Sequence, residues 1–160
     1  MAKVKLTQGK TALIDDEDAD VVSRFKWYLH EGARSVYAMA CIPQDGRRGK
    51  QILLHSLIMR FPSQQVDHIN GDGLDCRKKN MRLATQSQNQ RNRRLNENNK
   101  TGFKGVSIRL GRKNPFVARI MVENNPIHLG SFKTAYEAAL AYNTASLKYH
   151  GEFGRLNAIE

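Results

Sequence analysis

The chain has 160 residues, 40 % of them hydrophobic, with 26 Lys and Arg against 15 Asp and Glu, a net charge of +11. That length suits one ordinary domain or two small ones, each with a modest core. No apolar run approaches the roughly 20 residues that span a bilayer, and the amino-terminal MAKVKLTQGKTALIDDE lacks the apolar centre of a secretory signal, so an intracellular protein without a membrane partner is expected.

Taken in chain order, KVKL, TALI, WYLH, VYAMACI and QILL read as short strands, with short helices at DEDADVVSRF and HSLIMRF. Val66–Ile69 is the next strand, NGDG a reversal where φ > 0 costs little, and Met81–Thr85 the returning strand. Thr85 and Gln88 form a capping-box pair that starts a helix. Polar residues replace periodic apolar ones at LNENNKT, so 96–101 is expected to link a domain at 1–95 to one at 102–157. Beyond the linker, Phe103–Leu110, Phe116–Val122 and Ile127–Phe132 read as three strands, with turns at Gly111–Pro115 and Asn124–Pro126. A helix follows from Thr134 to Tyr149, capped by Thr134 and Glu137.

Charge and cysteine content narrow the function. The positive excess lies past residue 50, with +2 in residues 1–50, +5 in 51–100 and +4 in 101–160. Such a distribution favours a polyanionic partner, because each cation set on a phosphate releases condensed counterions. Cys41 and Cys76 are in no CxxC spacing, which argues against a disulfide framework and a cysteine-ligated zinc.

The strand, loop, strand, helix unit of residues 66–95 places particular chemistry. Asn89, Asn92 and Arg93 share one helix face by the i, i+3, i+4 rule, and Asn89 is placed to look back at the Asp67–His68 strand. A carboxylate and an amide oxygen then share one small site, which suits a hard cation that keeps several waters and takes other ligands from a phosphate. His68 beside them is left as a base. A hairpin with a merely satisfied histidine is the competing reading, and it is favoured for a histidine standing alone.

At these residues the sequence resembles the HNH nucleases, in particular the homing-endonuclease branch common in bacteriophages. The resemblance is carried by DH at 67–68, Asn80 in KKNMRLAT and Asn89 in SQNQRN. It implies that Asp67 and Asn89 hold one divalent metal, Mg2+ with Mn2+ able to substitute, that His68 is the general base, and that Asn80 braces the loop orienting His68. His55, in LLHSLIMRF, matches a histidine that often opens the preceding helix, and Cys76 stands where the family often has asparagine. A base near neutrality suits the task, since an unperturbed histidine titrates at about 6.5.

The segment from TGFKGVSIRL to HGEFGRLN resembles the plant Apetala-two/ethylene-response-factor DNA-binding domain, through FKGV, HLGSF, TAYEAALAYNTAS and the closing GRLN. In that fold the sheet enters the major groove. The resemblance nominates Lys104 and Arg109 on the first strand, Arg112 and Lys113 in the turn, and Arg119 on the second strand as DNA contacts. Arg91, Arg93 and Arg94 beside the metal helix are nominated for phosphates. Ser107 stands where the plant domains commonly have arginine and His128 where they commonly have tryptophan, so the plant target sequence does not transfer.

The expected fold class is therefore α+β, a ββα-metal (HNH) nuclease domain followed by a three-stranded antiparallel sheet packed on one helix. The expected function is a metal-dependent endonuclease acting on double-stranded DNA, of homing type and targeted by its carboxyl-terminal domain, with no obligate protein partner. The alternative is a DNA-binding regulator with an idle HNH-like domain, against which the joint retention of Asp67, His68 and Asn89 argues. An RNA-binding protein calls for exposed stacking aromatics that the strands do not offer.

Overall fold

The computed structural model describes residues 1–32, 35–44 and 47–159. It is a mixed α/β chain in which every strand pairing within the sheets is antiparallel. Two compact units are present, 1–89 and 90–160.

In the first unit, β1 (Ala2–Lys5) pairs with β2 (Thr11–Ile14), a 3-10 turn leads into α1 (Ala19–Ser23), and β3 (Tyr28–Glu31), β4 (Val36–Gln44) and β5 (Arg47–Leu53) form a meander. Then come α2 (Leu54–Ile58), β6 (Gln65–His68), β7 (Met81–Ala84) and α3 (Gln86–Arg91). Ile14, Val22, Trp27, Ala40, Ile52 and Leu54 lie in one buried cluster that also takes in Cys76 and Met81. Burial of these apolar side chains is the main favourable term for so small a unit. The Trp27 indole is buried with its Nε1 donating to Val22 O at 2.9 Å, so the ring enters the core with its polar edge satisfied.

The 69–80 loop is docked onto this core by the backbone. Leu13 N donates to Leu74 O and Cys76 N to Leu13 O, each at 2.8 Å, a short parallel bridge onto β2. Gly73 is required there, because a Cβ would lie 2.3 Å from Val36 O and 2.7 Å from the Tyr37 ring. Lys78 ties the far end of the loop to the acidic turn after β2: its backbone N–H bonds Asp15 Oδ2 at 2.8 Å and its ammonium pairs with Glu17 and Asp18.

In the second unit the sheet order is β10 (Asn125–Phe132), β9 (Phe116–Val122), β8 (Val106–Ile108), with α4 (Ala135–His150) against it. Ala118 is buried with Val106, Ala138 and Ala139, and Ile120 with Tyr142 and Ala145, so small residues on α4 let helix and sheet approach closely. The Thr134 and Glu137 capping box is present.

Three boundaries differ from the sequence reading. The first strand is confined to 106–108, because Gly105 at φ +76° turns the chain and leaves room for Tyr142, whose ring a Cβ would meet at 2.0 Å. The second turn is the pair Glu123–Asn124, both at positive φ, so β10 starts at Asn125 and Pro126 lies within an edge strand, where its missing N–H is tolerated. The helix α3 ends at Arg91, so Asn92 and Arg93 follow it rather than sharing a face with Asn89.

Candidate active site

Residues 65–91 form the strand, loop, strand and helix that the sequence reading expects. β6 and β7 pair with Asp67 opposite Arg82 and His68 opposite Met81. Thr85 and Gln88 make their reciprocal capping bonds, Thr85 N to Gln88 Oε1 at 2.8 Å and Gln88 N to Thr85 Oγ1 at 3.2 Å. α3 thus begins immediately after β7. Asn89 on α3 donates Nδ2 to Gln65 Oε1 at 3.0 Å, which ties the helix to β6. Gln65 and Asp67 are two apart on one strand and share a face.

Asn80 braces the loop by both ends of its amide. Its Oδ1 accepts from Asn70 N at 3.1 Å, and its Nδ2 donates to Asn70 Oδ1 at 3.1 Å and to Asp75 O at 2.8 Å. Asn80 O also receives Ile69 N at 2.8 Å, so the residue after His68 is pinned by the same asparagine. Asp75 is gripped bidentately by Arg77 at 2.7 and 2.6 Å, and hydrogen bonds from Arg77 hold its carboxyl below the usual carboxylate range.

His68 is buried at the end of β6, only 6 % exposed. Its Nε2 stands 3.8 Å from Cys76 Sγ, and the same sulfur lies 3.7 Å from Gly73 O. Burial pushes the Cys76 thiol up to about 12, so it is neutral. Burial lowers the His68 pKa from its ordinary value, and the carboxylates of Asp67, Asp72 and Asp75 pull it partly back. The imidazole is therefore in its basic, unprotonated form at neutral pH. His55, at the start of α2, packs edge to ring against it with centroids 5.1 Å apart, and Tyr37 of β4 touches both rings, at 5.4 Å to His55 and 6.1 Å to His68.

Asp67 is 3 % exposed, and Arg82 donates both Nε and Nη2 to its Oδ2 at 2.8 Å. Arg82 and Tyr37 are members of this cluster that the sequence reading did not place, whereas Cys76 was placed in the loop by the resemblance. Arg82 was readable from the hairpin register, since Asp67 and Arg82 are opposed once β6 and β7 pair. Tyr37 comes from a separate sheet, and only the fold brings it to His68.

Among the described residues no three His, Cys, Asp or Glu side chains come together as a metal-holding group. The expected set is different, one carboxylate and one amide. Its chemistry fits a hard cation: Asp67 offers carboxylate oxygen, and Asn89, with Nδ2 committed to Gln65, has its carbonyl oxygen as the remaining donor.

The nominated cations divide. Arg93, Arg94, Arg109, Arg112, Lys113 and Arg119 are exposed and Arg91 is half-buried. Arg119 faces away from the helix, directly opposite His128 on β10. Lys104 departs from expectation: it precedes the strand, and its ammonium bonds Arg91 O and, at 2.8 Å, Arg93 O. Burial pushes it down to about 8, with Arg155 adding repulsion. The glycine turn at 105 holds Lys104 against the chain itself.

Residues 60–91 match the HNH endonuclease family. The chain is also similar to an uncharacterized HNH endonuclease of Acanthamoeba polyphaga mimivirus, 28 % identical over 156 residues that cover 96 % of this chain and 78 % of the viral protein. The matched segment holds Asp67, His68, Asn80, Arg82 and Asn89. Residues 60–91 are thus an HNH endonuclease domain, and the chain that carries them is a nuclease.

Proposed function

We propose that the chain is a divalent-metal-dependent endonuclease that hydrolyses phosphodiester bonds in double-stranded DNA, with residues 1–95 as the nuclease domain and 102–157 as a targeting domain. The observation that carries the reading is the neutral, buried His68 at the end of β6, beside Asp67 and on a loop fixed by Asn80.

His68 accepts the proton of the attacking water, and burial keeps it able to do so at neutral pH. Asn80 and Cys76 fix the loop and the back of the ring, so the base does not swing. Asp67 and Asn89 would hold one divalent cation, Mg2+ with Mn2+ able to substitute, which would supply positive charge to the departing 3′ oxygen. Arg82 sets the Asp67 carboxylate by gripping one of its oxygens, which fixes its rotamer before a cation arrives.

The second unit supplies recognition. An Apetala-two-like sheet face carrying Arg119 and His128, with Arg109, Arg112 and Lys113 at its end, offers cations to base edges and phosphates. Arg91, Arg93 and Arg94 meet phosphates near the catalytic helix. A homing-type enzyme working inside a cell is the role this pairing of modules supports, and a phage or virus is the kind of genome in which it fits. Among the described residues no helix is long and apolar enough to cross a membrane.

The test is incubation of the purified chain with supercoiled plasmid and Mg2+. Nicked or linear product that disappears with EDTA and with His68→Ala is the expected result. Cleavage that persists in either case removes this mechanism.

A further inference from the structure

His55 is 7 % exposed, and its Nδ1 is buried with no hydrogen-bond partner among the described residues. Its ring fills a slot beside Tyr37 and His68, packing against both nearly edge on, at 68° and 81°. A phenylalanine fits such a slot by shape and leaves no polar atom unpaired. Histidine there is therefore the costlier choice for the protein in isolation. Among the described residues nothing meets the nitrogen, so a water or ligand is what it would bond.

The neighbour decides what that is. The His55 and His68 ring centroids are 5.1 Å apart, so the unpaired nitrogen belongs to the immediate neighbour of the base. We infer that His55 is a second imidazole of the hydrolytic site, whose Nδ1 holds the water that His68 deprotonates. The inference rests on the proposed hydrolysis and adds a residue to it.

In the step itself the water oxygen forms a bond to phosphorus, the bond from phosphorus to the 3′ oxygen breaks, and the water proton passes to His68. The leaving oxygen takes its proton from solvent. His55 takes no net proton; it aims the water by a single hydrogen bond. Burial, and the positive charge His68 carries once protonated, keep the His55 pKa down at about 4, so it stays neutral while its neighbour works. Aiming a nucleophile raises turnover without changing the grip on DNA.

The experiment compares full-length wild type, His55→Phe and His55→Asn in plasmid cleavage with Mg2+, in DNA binding with EDTA, and in thermal unfolding. Asparagine sets an amide close to where Nδ1 stands, whereas phenylalanine keeps the ring and drops the nitrogen. The expected result for His55→Phe is a kcat lower by roughly 10- to 100-fold, with KM, DNA affinity and Tm at or above the wild-type values. His55→Asn should recover part of that kcat. Undiminished cleavage by His55→Phe, with the wild type active, overturns the inference alone. If phenylalanine lowers Tm, asparagine is compared with leucine at the same position: higher kcat for asparagine supports the inference, and equal kcat overturns it. A wild type that cleaves nothing removes the proposed hydrolysis, and the role of His55 falls with it.

Discussion

Arg82 places both Nε and Nη2 on a single oxygen, Oδ2, of Asp67, at 2.8 Å and in near-complete burial. The pair is short because β6 and β7 oppose these two residues, so neither side chain must reach far. Removing one partner of a buried pair leaves the other charge uncompensated, which typically costs about 3–5 kcal/mol. Arg82→Met should therefore lower the Tm markedly in EDTA. If Asp67 is a metal ligand, Mg2+ should raise the Tm of Arg82→Met more than that of the wild type, since the cation then meets a carboxylate that has lost its guanidinium partner. Thermal unfolding of both proteins with and without Mg2+ checks this, and equal shifts would remove Asp67 from the metal site.

Acid should destabilise the first unit through His55. Its pKa is about 4 in the folded chain against an ordinary 6.5, so between those values the unfolded chain binds more protons than the folded one. Stability then rises with pH across that window. It is fully present above pH 6.5 and is lost as pH falls toward 4, by about 3 kcal/mol for a shift of this size. His68 acts in the same direction. Urea unfolding at pH 7.5 and 4.5 should show the loss, and His55→Phe should reduce it. An equal acid loss in that variant would place the effect elsewhere.

The same shift bears on turnover. With burial lowering His68, cleavage limited by chemistry should fall off at a pH below 6.5, as the free base is protonated. A rate profile with its inflection above 6.5 would point to another base.

How far the site was readable from sequence follows from which of its contacts are local. Thr85 with Gln88 and Thr134 with Glu137 are three residues apart, and both capping boxes were legible as patterns. The bracing role of Asn80 was implied by the resemblance, and the partners through which it braces, Asn70 and Asp75, lie in the loop that it closes. Tyr37 and His55 come from other elements, and nothing in their spacing announces that they surround His68. The first strand was read too long because apolar alternation runs through Phe103 to Leu110, while Gly105 must adopt a positive φ to clear Tyr142 from 37 residues further on. Lys104 was misjudged for the same reason: its charge was visible, but the turn that folds it onto Arg91 O and Arg93 O was not.

Asn157 is a further check on the second unit. It trades two hydrogen bonds with the Lys104 backbone, N–H to Oδ1 at 2.6 Å and Nδ2 to O at 3.1 Å, and two more with Asn143 of α4. Asn157→Ala removes the pair to Lys104 and leaves those backbone groups short of a partner, for a loss of about 2–4 kcal/mol. The measurement is the unfolding midpoint; a change within error would mean that water replaces the amide fully.

Lys104 and Arg119 should separate stability from DNA binding. The Lys104 ammonium is spent on two carbonyls, whereas the Arg119 guanidinium stands on the open face of β9 opposite His128. Lys104→Met takes its ammonium donor from Arg93 O and from Arg91 O, which keeps only Arg155 N at 3.4 Å, so its effect should appear in Tm, with DNA affinity at low salt little changed. Arg119→Ala touches no core residue and should leave Tm within about 0.5 kcal/mol equivalent of wild type. Its effect should appear in binding. If Arg119 reaches a base edge, preference among sites relaxes by about 1–3 kcal/mol; if it reaches only phosphate, all sites weaken alike and the salt slope falls by about one. Lys113→Ala, in the exposed turn, should follow the phosphate pattern. These are read from binding isotherms of the full-length variants on duplexes at several salt concentrations, in EDTA so that no strand is cut. An Arg119→Ala protein that binds every duplex as tightly as wild type would show that the open sheet face is not the DNA surface, and recognition would then have to be sought among Arg91, Arg93 and Arg94.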